Sequence, residues 1–184
     1  MKVEKTKLSG VLVLEPDVYE DDRGYFLETW SQKRYAEAGI PEGLVQDNLS
    51  MSRKGVLRGL HLQHPHGQGK LVQVMVGEVF DVAVDVRVGS PTYGQWLGAV
   101  LSATNKRQVY IPPGFAHGFS VLSEQALFAY KCTDFYRRDA ELGIRWDDPD
   151  IGIEWPGPAP LLSPKDAEFP RLSEIDPARL PKMA

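Results

Sequence analysis

An all-β fold, a single small antiparallel sandwich or barrel, is what this sequence predicts, and three observations carry that expectation. Seventeen glycines and 14 prolines are spread through 184 residues, between short segments rich in Val, Leu, Phe and Tyr. Such punctuation fits many short strands joined by tight turns. Across residues 79–87, Val82, Val84 and Val86 fall on even positions, while Asp81, Asp85 and Arg87 fall on odd ones. A period of two marks a strand with one polar or cavity-lining face. Only one stretch carries helix start and stop signals, and it is brief.

In chain order, strands are expected over residues 11–15 (Val-Leu-Val-Leu-Glu) and over the aromatic-rich 25–30. The one helix follows, with Ser31 as N-cap, Gln32 to Ala38 as its body, and Gly39 and Pro41 as its stop. Further strands are expected over 44–52, 56–63, 70–76, 78–87, 95–101, 107–111, 118–122 and 126–133, with Gly77 and Glu78 as a hairpin tip. The Pro-rich stretch from Trp155 to Pro164 reads as an irregular segment wrapped round a finished sheet structure. No repeat or linker divides the chain, so residues 1–184 are expected to form one domain whose barrel mouth is the natural ligand site.

Composition narrows the function. A chain of this length can bury roughly 70% of its unfolded surface without staples. The lone Cys132 forms no intrachain disulfide and the opening MKVEKTKLSG is not a signal peptide, which points to a reducing, cytoplasmic setting. Apolar runs such as residues 11–14 fall far short of the roughly 18 that span a bilayer, so no membrane association is expected. A net charge of -4 gives no general field for nucleic acid, although a few placed cations can hold a small anion.

Three histidines, His61, His64 and His66, lie close together and His117 stands in Pro112-Pro113-Gly114-Phe115-Ala116-His117-Gly118-Phe119. The spacing of His64, His66 and Gly77 resembles the metal-binding pattern of the cupin superfamily, but Lys70 occupies the acidic ligand position. A protonated ammonium repels a divalent cation, so no metal and no other cofactor is expected. The chemistry would then fall to His61, Lys70 and Tyr130. A histidine near its reference pKa of about 6.5 suits a general base, a lysine can stabilise an oxyanion, and a tyrosine can return a proton from another side. Together these describe proton transfer beside a carbonyl. A strand histidine or tyrosine can equally be a satisfied structural residue, and spacing alone does not decide between the two.

The strings Asp22-Arg23-Gly24-Tyr25-Phe26-Leu27-Glu28, Gln46-Asp47-Asn48-Leu49-Ser50, Gly55-Val56-Leu57-Arg58-Gly59-Leu60-His61, Gln68-Gly69-Lys70-Leu71-Val72, Phe80 to Arg87, Pro113 to Phe119 and Leu162-Ser163-Pro164-Lys165-Asp166 occur in order. Together they resemble the dTDP-4-dehydrorhamnose 3,5-epimerase family over nearly the whole chain. The resemblance implies a metal-free, cupin-type jelly roll with a few short peripheral helices, and a homodimer whose N-terminal strands cross to the partner. It implies inversion of carbons 3 and 5 of dTDP-4-dehydro-6-deoxyglucose, both flanking the 4-keto group.

By the same resemblance His61 matches the base, Asp166 the carboxylate that orients it, Lys70 the group at the 4-oxygen and Tyr130 the acid on the opposite face. Arg23 and Glu28 match substrate-binding positions supplied by the partner, and Phe26 matches a further substrate-binding position. Gln46, Asn48 and Arg58 match groups round the nucleotide and its phosphates, and Tyr136 the ring that stacks on thymine. His117, Glu141 and Lys165 match further substrate contacts. Rival readings are an epimerase acting at one carbon only and a non-catalytic cupin that binds a nucleotide sugar. Arg58 and His61 differ in parity, so a regular strand would point them apart, and a bulge at Gly59 is expected to realign them.

Overall fold

The computed structural model describes residues 1–40 and 43–183. Two antiparallel sheets face one another. The first runs in the order β1 (Lys2–Lys5), β2 (Leu12–Glu15), β10 (Gln108–Ile111), β7 (Lys70–Val76), β12 (Gln125–Cys132) and β5 (Gln46–Arg53). The second runs β13 (Glu141–Gly143), β6 (Leu57–Gln63), β11 (Phe115–Val121), β8 (Glu78–Asp85) and β9 (Trp96–Ser102). From β5 to β13 the chain crosses between the sheets at every step except the β8 to β9 hairpin, giving the jelly-roll sandwich the sequence predicts. A separate ribbon pairs β3 (Val18–Asp21) with β4 (Gly24–Leu27).

Alternation along each strand builds three apolar clusters. Val72, Val74 and Val109 of the first sheet meet Val79, Ala83, Phe115 and Phe119 of the second between the layers. Val82, Val84 and Leu60 line the outer face of the second sheet, covered by Ile151, Leu172, Ile175 and Leu180 from the C-terminal segment. The period of two in β8 therefore separates two buried faces: its odd positions enter the sandwich, where Asp81 and Asp85 are both buried polar groups. Leu12, Leu14, Leu71 and Tyr110 pack beneath α1 (Gln32–Glu37), which plugs Tyr35 into the outer face of the first sheet.

Several expectations change. Gly77 is no hairpin tip, because β7 and β8 belong to different sheets and do not pair. It is a corner with φ of +81°, where a Cβ would come within 2.0 Å of Gln125 O, so the chain turns between layers. The expected strand at 25–30 shortens to Gly24–Leu27, and β1, β3 and β13 are additions. β1 (KVEK) and β3 (VYED) are largely exposed and highly charged, which hides them from an apolar pattern. Ser31 stands at the N-cap without a side-chain capping bond, and Gly39 ends α1 with φ of +102°. Pro41 lies outside the described residues. The Pro-rich tail leads into α2 (Pro164–Ala167), a single turn capped by Ser163. Among the described residues no helix is long and apolar enough to cross a membrane.

Candidate active site

One end of the sandwich is polar. Inward positions on β5 and β12 place Asn48 opposite Tyr130 and Gln46 opposite Cys132, and Cys132 in turn lies opposite Lys70 of β7. His61 and Gln63 face them from β6. These groups, with Tyr136 and Glu141, line a cavity of about 210 Å³. A second cavity of about 400 Å³ opens on the other flank of His61 and is lined by Arg58, Lys165 and Asp166. His61 is thus common to both.

Asp166 comes from α2. Its backbone N–H donates to the Ser163 cap at 3.1 Å, its Oδ1 lies 2.8 Å from His61 Nε2, and its Oδ2 accepts from the Gly59 N–H at 3.2 Å. Burial pushes this carboxyl up, but the bonds from His61, Gly59 and Ser163 outweigh burial and leave it below the ordinary carboxylate range. An ionised carboxylate only accepts, so the proton of neutral His61 sits on Nε2 and Nδ1 is the free basic nitrogen. The edge of Phe169 packs on the imidazole at 5.7 Å between centroids.

The expected bulge is present. β6 and β11 pair Arg58 with Phe119 and His61 with His117, so three steps on one strand match two on the other. The added residue brings Arg58 and His61 to the same face, Gly59 supplying the required φ of +128°. Arg58 Nε donates to Ser52 Oγ at 3.0 Å, which aims the guanidinium along the cavity wall.

Across from His61, burial holds the Lys70 ammonium below the ordinary lysine range, with Cys132, Asp81 and Glu141 pulling the other way. Among the described residues Lys70 makes no ion pair, so its donors are free for a ligand oxygen. Burial also raises the Tyr130 phenol above its usual value, keeping it protonated as a donor. His61 and Tyr130 stand on facing sheets, β6 and β12, the arrangement that two-faced proton transfer would need.

The remaining expected residues divide into three groups. Gln46, Asn48, Tyr136 and Glu141 share the cavity with His61. Tyr136 donates to Glu141 at 2.9 Å, and Lys165 pairs with the same carboxylate at 2.5 Å. His117 lies beside His61 on β11 but is buried behind it, its Nε2 2.8 Å from Asp81 Oδ2 and its ring stacked on Phe128. Burial, opposed by Asp81, lowers its pKa below the ordinary histidine value. Arg23, Phe26 and Glu28 are not brought to this cavity within the chain: Arg23 pairs with Asp21 at 2.5 Å, Glu28 pairs with Arg34, and Phe26 is exposed on the ribbon.

Asp81, Gln63, Cys132 and Ser163 are site residues that sequence reasoning missed. Asp81 had a signal in the odd-position carboxylates of β8, and Ser163 in its place before a proline-started turn. Gln63 accepts from the Arg137 N–H at 2.7 Å and donates to His66 O at 2.6 Å, tying two loops to the cavity floor. His64 and His66 sit in that loop, and no group of three or more metal-type ligands occurs among the described residues.

Residues 5–174 match the model of the dTDP-4-dehydrorhamnose 3,5-epimerase family. A dTDP-4-dehydrorhamnose 3,5-epimerase of Shigella flexneri is 55% identical over 178 residues, covering 96% of this chain and 98% of the relative. The Pseudomonas aeruginosa protein of the same description is 54% identical over 178 residues, covering 96% and 98%. The crystal structure of dTDP-6-deoxy-D-glucose-3,5-epimerase from Legionella pneumophila in complex with dTDP-4-keto-L-rhamnose superposes with a TM-score of 0.97 at 54% identity, covering 100% of this chain and 98% of that one.

Proposed function

The chain belongs to the dTDP-4-dehydrorhamnose 3,5-epimerase family, and from that premise we propose that it inverts carbons 3 and 5 of dTDP-4-dehydro-6-deoxy-D-glucose to give dTDP-4-dehydro-L-rhamnose. The observation that carries the reading is the His61 and Asp166 pair facing Lys70 and Tyr130 across one cavity.

The 4-keto group acidifies the hydrogens on both neighbouring carbons. Nδ1 of His61 removes one, and Asp166 stabilises the imidazolium that forms. Electron density flows to the 4-oxygen, where the ammonium of Lys70 meets the enolate charge in a poorly solvated setting. Tyr130 then delivers its proton to the opposite face, and inversion results because donor and base lie on different sides. The imidazolium then gives its proton to solvent and the Tyr130 phenolate regains one from it, and repeating the cycle at the second carbon completes the reaction. His117, buried and bonded to Asp81, supports the pocket beside the base.

For the nucleotide, Tyr136 offers a flat ring to thymine, Gln46 and Asn48 offer amide partners, and Arg58 offers paired donors to the diphosphate. Lys165 and Glu141 complete the sugar pocket. Arg23, Phe26 and Glu28 complete the site of a second copy. Two features support this homodimer: the ribbon does not reach its own cavity, and Leu49, Met51 and Met75 are exposed on the outer face of the first sheet. One domain, free of metal and acting in the cytoplasm, is the proposed setting. Incubation with the 4-keto sugar and assignment of the product ring by NMR coupling constants tests the activity. A product inverted at both carbons supports it, and one inverted at a single carbon refutes the double epimerisation.

A further inference from the structure

Gly59 and Leu60 together face Gly118 alone across β6 and β11. Both strands need glycine there. A Cβ on Gly59 would lie 2.6 Å from Gly118 Cα and 2.9 Å from His117 O, and one on Gly118 would lie 2.8 Å from Arg58 O and 3.0 Å from Leu60 Cδ2. Leu60 spends its own backbone groups on Ile144, donating at 3.2 Å and accepting at 2.9 Å. The Gly59 N–H has left the β6 to β11 ladder and bonds Asp166 Oδ2 at 3.2 Å instead. The two oxygens of this carboxylate are therefore held from residues two apart on the same bulge, Gly59 and His61.

We propose that Gly118 and Gly59 are positioning residues for the epimerisation: their backbone contact sets the bulge, and the bulge's Gly59 N–H locks the Asp166 carboxylate against His61. The inference rests on the reading of His61 as base and Asp166 as its orienting carboxylate. A carboxylate bonded through Oδ1 alone swings about its Cβ to Cγ bond and carries the imidazole with it. A charge-assisted second bond at Oδ2 stops that rotation. Any side chain on Gly118 must push Arg58 or Leu60 along the strand, displacing His61 while leaving Lys70 and Tyr130 on the other sheet in place.

Two measurements on the full-length protein test this. Gly118→Ala is expected to lower kcat on the order of 100-fold, the size of a displacement near 1 Å, with dTDP affinity by calorimetry changing at least tenfold less. Gly98→Ala is the matched control, since its Cβ would meet Phe80 Cζ at 2.2 Å on the edge strand β9; it should lower Tm and keep kcat. Second, Asp166→Ala should speed hydrogen exchange of the Gly59 amide at least tenfold and leave that of Val82 unchanged. Wild-type kcat in Gly118→Ala, parallel loss of kcat and dTDP binding, or unchanged Gly59 exchange overturns the proposal. Should Gly118→Ala not fold, the exchange measurement decides. His61→Asn separates the two levels: turnover retained there defeats the base assignment, whereas an inactive His61→Asn beside a fully active Gly118→Ala defeats only the positioning role.

Discussion

Asp166 and His61, 105 positions apart in the chain, meet at 2.8 Å between Oδ1 and Nε2, and the turn that delivers the carboxylate is only four residues long. Ser163 caps that turn and Gly59 holds the second oxygen, so a short peripheral element is fixed tightly enough to orient the imidazole of His61 on β6.

Replacing His61 by Asn keeps a side chain of similar reach but no basic nitrogen. The expected loss in kcat is roughly 10³-fold, within the span of general-base contributions, with dTDP binding changed less than tenfold. Steady-state kinetics and calorimetry check it; undiminished turnover would remove His61 as the base.

Lys70 is costly to the fold because burial disfavours its charge. Lysine with a depressed pKa binds its proton less readily folded than unfolded, so this destabilisation is present at neutral pH and is relieved as pH rises above the folded pKa. Lys70→Met should leave Tm equal to or above wild type at pH 7 while kcat falls on the order of 10²-fold or more through lost enolate stabilisation. A clear drop in Tm would contradict the electrostatic account.

Tyr130→Phe removes the second-face donor and leaves the base. Hydrogens at the ring carbons should still exchange with deuterated solvent, while inversion falls at least tenfold relative to exchange. Exchange and inversion lost in equal measure would show that Tyr130 serves binding or structure instead.

Asp85 gives a pH prediction away from the site. Burial raises its carboxyl, but bonds from Arg87, Ser90, Thr92 and a backbone N–H bring it down to about 2 from 3.8. A depressed carboxyl stabilises above its unfolded pKa, so this contribution is complete above about pH 4 and drains as pH falls toward 2. It amounts to about 2 kcal/mol. In urea melts Asp85→Asn should lose that much or more at pH 7 and show a flatter acid limb. An acid limb identical to wild type would refute the assignment.

The proposed sharing of sites across a homodimer predicts complementation. Mixing unfolded His61→Asn and Arg23→Ala chains and refolding them together should yield hybrids with one intact site. At random pairing the mixture recovers about a quarter of wild-type activity. No recovery, with dimers verified by light scattering, would place Arg23 in its own chain's site.

Legibility in the sequence follows apolar runs and the turn residues that bound them. The eight central strands are readable because short runs rich in Val, Leu, Phe and Tyr, such as 70–76 and 126–133, stand between Gly, Pro and other turn residues. β1 and β3 are not, being short, charged and largely exposed, and β13 is only three residues long, with its partner β6 far back in the chain. Gly77 was read as a hairpin because a lone glycine between two strands does not reveal that the chain is changing sheets. In the site, the parity clash between Arg58 and His61 exposed the bulge in advance. The Asp81 partner of His117 stayed hidden, since a diagonal contact between neighbouring strands leaves no local trace. The pairing of Asp166 with His61 came from family resemblance, because no local spacing links residues so far apart.

The central claim is proton transfer by His61 at both carbons beside the ketone. Proton NMR of the product formed in deuterated water by wild type and by His61→Asn tests it most directly. Label at carbons 3 and 5 with wild type, and at neither with His61→Asn, is the predicted result; label at one carbon only, or undiminished labelling by the variant, would contradict it.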